Sequence, residues 1–156
     1  MLTKPDPDAL GFLLTDVSRL LRAELERRIV AVGIDLTPAE ARTLLHAAHA
    51  GATRQSLIAE RMGVEAMTLS SYLDRLEARA LIRREPDPND RRAKIVQLTE
   101  DAEPVLAEIM RITSEMRNDI TEQFPAPELQ IFRQGLKRLQ RTLTDMRPEC
   151  RKGNSA

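Results

Sequence analysis

Few side chains in this chain are spaced for covalent or metal chemistry. His46 and His49 lie three apart, a spacing that lets two imidazoles on one helical turn share a metal ion. No third ligand stands near them in the sequence, so helix or pocket-wall residues are the favoured reading, and no metal or cofactor is expected. Cys150, the single cysteine, excludes an intrachain disulfide and suits a reducing compartment. A sensing thiol would need a lowered pKa and a resolving partner, and a tail thiol is more often incidental. Met62, Met67, Met110 and Met116 read as packing residues. No glycine-rich phosphate loop, Ser-His-Asp order or catalytic carboxylate pair can be picked out, so no enzyme is expected.

The basic residues are more informative. From Arg54 to Lys94 nine basic residues face seven acidic ones, and the whole excess falls in Arg83 to Lys94, with five against three. Cations gathered on a short protruding segment suit contact with phosphates or a narrow minor groove, although a solvated charged loop would look similar. The full chain of 156 residues has 24 Lys+Arg against 24 Asp+Glu. That balance argues against a non-specific polycation and leaves room for a local binding patch.

The elements that must carry these residues follow from hydrophobic period. Leu10, Leu13, Leu14, Val17, Leu25, Ile29 and Val32 recur at helical spacing, which predicts a helix over about 8–32. Thr37-Pro38-Ala39-Glu40 is a capping box with proline at the first helical position, opening a second helix to about Ala50. Thr53 is the expected cap of a short third helix ending near Gly63, and a fourth runs from about Glu65 to Ala80. Leu81–Glu85 and Ala93–Leu98 then read as two strands joined by turn formers. A helix over about 101–124, capped by Asp101 or Thr99, and a last one carrying Leu129, Phe132, Leu136, Leu139, Leu143 and Met146 complete the chain. The spacing of that final set is a heptad seam. A 3% aromatic content implies an aliphatic core. No apolar run approaches the length of a membrane span, and no signal-type stretch opens the chain, so a cytoplasmic protein is expected.

The third and fourth helices have helix-turn-helix chemistry. Ala59 is small where the helices must cross, Gly63 tolerates the turn, and Leu69 plugs the second helix onto the first. With Leu73 and Leu76 inward, Thr68, Ser70, Ser71 and Arg75 are expected to face outward together. A basic hairpin after such a pair makes a winged helix. The expected fold is therefore mainly α with a small β-hairpin wing. Residues 36–99 form the winged helix-turn-helix, residues 1–35 and 100–150 a helical dimerisation region, and residues 151–156 a flexible tail. Expected DNA contacts are Arg54, Gln55, Thr68, Ser70, Ser71, Arg75, Arg83, Arg91, Arg92 and Lys94. Expected dimer contacts are Leu13 and the seam residues Leu129, Phe132, Leu136, Leu139, Leu143 and Met146. One small lobe cannot easily bury both the first-helix stripe and the last-helix seam, and a second copy can.

These residues together resemble a family. Ala59, Gly63 and Leu69, then Leu73-Asp74-Arg75-Leu76-Glu77, Leu81-Ile82-Arg83-Arg84, the turn from Asp87 to Lys94, and Leu98-Thr99 before a long helix are similar to the MarR family, the multiple-antibiotic-resistance-type regulators. The resemblance implies a bacterial homodimer on a pseudo-palindromic operator in double-stranded DNA, most often a ligand-responsive repressor. It also implies an effector crevice drawing on the first, second and fifth helices, with small aromatic or phenolic compounds as common effectors. By the same resemblance, Arg91 or Arg92 enters the minor groove while the other pairs with Asp90 or Asp87. Three positions depart from the family pattern. Asn89 replaces a frequent wing arginine, Ser71 a frequent basic residue, and Ala80 the glycine that usually ends the recognition helix. The first two favour modest affinity, and a winged-helix protein adaptor with weak or no DNA binding is the alternative reading.

Overall fold

The computed structural model describes residue 6 and residues 9–146. Cys150 and the tail beyond Met146 lie outside the described residues. The elements are α1 (Leu10–Val32), α2 (Pro38–Ala50), β1 (Thr53–Arg54), α3 (Gln55–Met62), α4 (Ala66–Ala78), β2 (Ile82–Asp87), β3 (Asp90–Leu98), α5 (Ala102–Thr121) and α6 (Ala126–Asp145). The chain divides into two compact units, one up to Met116 and one from Arg117 onward. No helix among the described residues is long and apolar enough to cross a membrane.

In the first unit the aliphatic periodicity becomes a core. Ile29, Leu44, Ile58, Leu69, Leu73, Leu76, Ile82, Val96, Ile109 and Ile112 are fully buried, each worth about 2 kcal/mol of burial. α4 packs on α2, α3 and β2, so the helix that carries Thr68 and Ser71 is held from three sides. α2 starts where expected: Thr37 accepts from the Glu40 backbone N–H, and Glu40 Oε2 accepts from the Thr37 N–H at 2.8 Å.

α3 ends in a Schellman turn. The Gly63 N–H reaches Glu60 O and the Val64 N–H reaches Ala59 O, both at 3.1 Å. Gly63 has φ +64, and a Cβ there would meet nothing within 4 Å. Its glycine answers to backbone conformation, not to crowding. α4 ends in the same hydrogen-bond pattern, from Ala80 to Glu77 O and from Leu81 to Leu76 O, but with alanine at φ +57. The departure noted at Ala80 is thus a strained copy of the usual end, since a Cβ in the left-handed region costs about 1 kcal/mol.

The sheet is antiparallel in the order β1-β3-β2. Its third strand corrects the reading of Thr53 as a helix cap. Thr53 pairs with Val96 and Arg54 with Ile95, and Arg54 occupies the cap position of α3 without a side-chain cap bond. Two residues are too few to show a period. The wing strands run further into the turn segment than composition suggested, because Pro86 pairs with Lys94 and Asp87 with Asp90 across a register shift. Arg91, Arg92 and Ala93 are left as the irregular stretch of the hairpin. The Thr99 hydroxyl donates to the Ala80 carbonyl and closes the end of the wing on the end of α4.

α5 opens at Ala102 and carries Pro104 in its first turn, where the missing N–H has no helical partner to lose. In the second unit α6 buries none of its residues. Leu129 and Leu139 are half-buried, whereas Phe132, Leu136, Leu143 and Met146 are exposed. Phe124 and Phe132 stack with ring centroids 6.2 Å apart.

Candidate nucleic-acid interface

α4 presents one face to solvent. Ala66, Met67, Thr68 and Ser71 are exposed there, opposite the buried Leu69, Leu73 and Leu76. Ser70 is half-buried on the flank and does not share the face expected of it. Arg75 is exposed, but its guanidinium is engaged. Nε donates to Glu40 Oε1, Nη1 reaches Ser71 Oγ at 3.3 Å, and the group lies 5.5 Å from the centre of the Tyr72 ring. Glu40 is 3% exposed. Burial pushes its carboxyl up, yet the hydrogen bonds from the Thr37 backbone and from Arg75 prevail and hold it below the ordinary value.

The wing is tethered at both ends. At its base, Arg84 donates through its backbone N–H to Glu77 Oε1 at 3.0 Å and through Nε to Glu77 Oε2 at 2.9 Å. Its Nη2 reaches Asp74 Oδ1 at 2.6 Å. These bonds to Arg84 depress the Glu77 carboxyl and raise the guanidinium in turn. Near the tip, Asp87 is 4% exposed and accepts the Asn89 N–H at 2.8 Å and Arg54 Nε at 2.5 Å. The Asn89 amide, then Arg54, keep its carboxyl low.

The partner of Asp87 is therefore Arg54, not Arg91 or Arg92 as the resemblance implied. Asp90 receives the Arg92 backbone N–H, at 3.0 Å. Among the described residues neither Arg91 nor Arg92 has a carboxylate partner, and both are exposed, as is Lys94. Arg83 bonds across the strands to Gln97 Oε1 at 2.6 and 2.9 Å and lies 3.3 Å from Glu85. Gln55 is half-buried, and among the described residues its Oε1 has no hydrogen-bond partner.

Of the residues expected to contact DNA, the geometry leaves Thr68, Ser71, Arg91, Arg92 and Lys94 exposed, with Lys94 in the field of Glu77 and, among the described residues, no carboxylate partner for Arg91 or Arg92. It commits Arg54, Arg75 and Arg83 to contacts within the chain. Sequence reasoning passed over Glu40, Asp74, Glu77 and Arg84 as a positioning set. The only signal was that Asp74, Glu77 and Arg84 fall inside the stretches that carried the resemblance.

Elsewhere, His46 is half-buried, and burial followed by Arg42 and Arg61 lowers its pKa. No group of three or more His, Cys, Asp or Glu side chains that could hold a metal occurs among the described residues. An open groove of about 680 Å³ is lined by Val30, Ile34, Leu36, Glu40, Arg75 and Arg79 among others. It takes no residue from α5, which the effector crevice was expected to use.

A small helical core, a three-stranded sheet, a helix pair joined at Gly63 and a tethered basic hairpin define a winged helix-turn-helix regulator. The MarR family model matches residues 36–94. Among solved structures, a transcriptional regulator called PA3341 is 38% identical, with a TM-score of 0.75 over 86% of this chain and 98% of its own. A structure of MarR is 27% identical at a TM-score of 0.75, covering 92% and 97%. CouR from Rhodococcus jostii RHA1, solved with p-coumaroyl-CoA bound, is 25% identical at a TM-score of 0.69, covering 88% and 95%. The chain belongs to the MarR family of transcription regulators.

Proposed function

We propose that the chain binds duplex DNA as a homodimer at a pseudo-palindromic operator and acts as a ligand-responsive repressor. The observation that carries this is the pairing of an open α4 face with an open wing tip, on a wing whose base is tied to α4 by the hydrogen bonds of Arg84 to Glu77 and Asp74. Thr68 and Ser71 would meet base edges in the major groove, while Arg91, Arg92 and Lys94 would meet phosphates or the adjacent minor groove. Arg54, Arg75 and Arg83 would support that surface from within the chain.

Dimerisation is supported by apolar surface that one copy leaves uncovered. On α1, Leu10, Leu13, Val17 and Leu20 are exposed, and so are Phe132, Leu136 and Leu143 on α6 and Met146 at its C-terminal cap. Helices outside 36–99 would pair two copies and set two recognition helices roughly 34–36 Å apart, one turn of DNA. A small aromatic or phenolic effector would act by favouring one spacing over another. CouR, with its bound coenzyme A ester, supports a small-molecule input.

The test is a titration of the purified chain against its own upstream intergenic DNA and an unrelated duplex at two salt concentrations. Preference for its own DNA is expected. Three wing cations on each of two copies correspond to a log–log salt slope of about −5. Weak, salt-insensitive binding to both duplexes would favour the adaptor reading, toward which the engaged Arg75 points.

A further inference from the structure

The exposed face of α4 lacks the side chains that usually read purines. Bidentate recognition of guanine takes arginine or lysine, and of adenine takes asparagine or glutamine. The α4 sequence AMTLSSYLDRLEA contains no asparagine, glutamine or lysine, and its one arginine, Arg75, is held by Glu40 and Ser71. In place of a forked donor, the first turn of the helix offers Met67, 87% exposed, beside the exposed Ala66 and Thr68.

At that exposure Met67 buries little of its side chain among the described residues. It stands in the N-terminal turn, the part of a recognition helix that approaches base edges. The C5 methyl of thymine is the one apolar group displayed in the major groove. An unbranched thioether chain with three rotatable bonds can settle against it without demanding fixed geometry.

We infer that α4 selects its half-site by apolar contact with thymine C5 methyls, with Met67 as the main specificity-determining side chain and the Thr68 methyl beside it. This rests on the DNA-binding reading above. Hydroxyls of Thr68 and Ser71 add polar contacts that tolerate several bases. The operator is therefore expected to be defined by thymine positions under α4, without an arginine-read guanine.

The test begins with a duplex selected from a random pool by the parent protein. Deoxyuridine, which lacks only the methyl, replaces thymine one position at a time beneath α4, and at flanking positions as controls. For the parent, each contacted position should weaken binding about threefold to fourfold, the value of one buried methyl, with no change at the flanks. For Met67→Ala, at least one of those penalties should vanish while thermal melting matches the parent, because the side chain lies outside the core. Equal affinity for the thymine and deoxyuridine duplexes in the parent, or identical penalties in Met67→Ala, would overturn the inference and leave DNA binding standing. Failure to enrich any duplex would overturn the DNA-binding reading, and this inference with it.

Discussion

Glu40 and Arg75, 35 positions apart, share a hydrogen-bonded ion pair in which Glu40 Oε1 accepts from Arg75 Nε while Glu40 Oε2 accepts from the Thr37 backbone. One buried carboxylate thus starts α2 and anchors the second half of α4. Its lowered pKa fixes the sign of a pH effect. The contribution is present above the ordinary carboxylate value of 4.5 and is lost as pH falls through the lower folded value. Glu40→Gln should cost about 1–2 kcal/mol at pH 7, because the amide keeps one acceptor and loses the charge. Denaturant titrations from pH 7 to pH 3 should show a shallower acid loss in the variant. Parallel curves would place the acid sensitivity on other carboxylates.

Ala80 is the reverse case, a residue that works against its own backbone. At φ +57 it closes the Schellman turn of α4 and receives the Thr99 hydroxyl on its carbonyl. Ala80→Gly removes the Cβ conflict and concedes some unfolded-state entropy, for a net gain of about 0.5–1 kcal/mol. That corresponds to roughly 2 °C in the melting midpoint. A lower midpoint would mean that the methyl contributes more in place than its backbone strain takes away.

The wing separates contact from support. Arg91→Ala and Arg92→Ala should each weaken DNA binding and reduce the salt slope by about one, with helical content and melting unchanged. Arg84→Ala should weaken binding with a smaller change in slope and lower the melting point, since it frees both Glu77 and Asp74. If the Arg91 and Arg92 variants bind as the parent does, the wing contact is misassigned.

The seam on α6 bears on assembly. Leu136→Asp combined with Leu139→Asp places charge on an exposed and a half-buried position of the same stripe. A monomer with near-parental melting of the first unit is expected by light scattering, and operator binding should fall with it. A monodisperse dimer would mean that another surface joins the copies.

Much of this protein is written locally. Helical period placed α1 and the buried side of α4, the Thr37–Glu40 box marked the start of α2, and Ala59, Gly63 and Leu69 marked the turn that the structure forms. Each depends on residues within a few positions of one another, so one-dimensional spacing contains the physics. Ser70 shows the limit even there, because a small residue on the flank of a helix is assigned a face only by what packs beside it.

What the tertiary structure alone decided is how the charges pair. Arginines and carboxylates recur throughout residues 40–94, and many pairings are compatible with their order. The fold selected Arg75 with Glu40, Arg84 with Glu77 and Asp74, and Arg54 with Asp87, and so left the cations at the hairpin tip for solvent. The two-residue β1 was hidden for the same reason. A strand that short exists only through its partner, and its partner lies more than forty residues away in the chain. Side chains separated in sequence interact strongly only when packing brings them within a few ångströms and removes the water between them, and local spacing does not contain that distance.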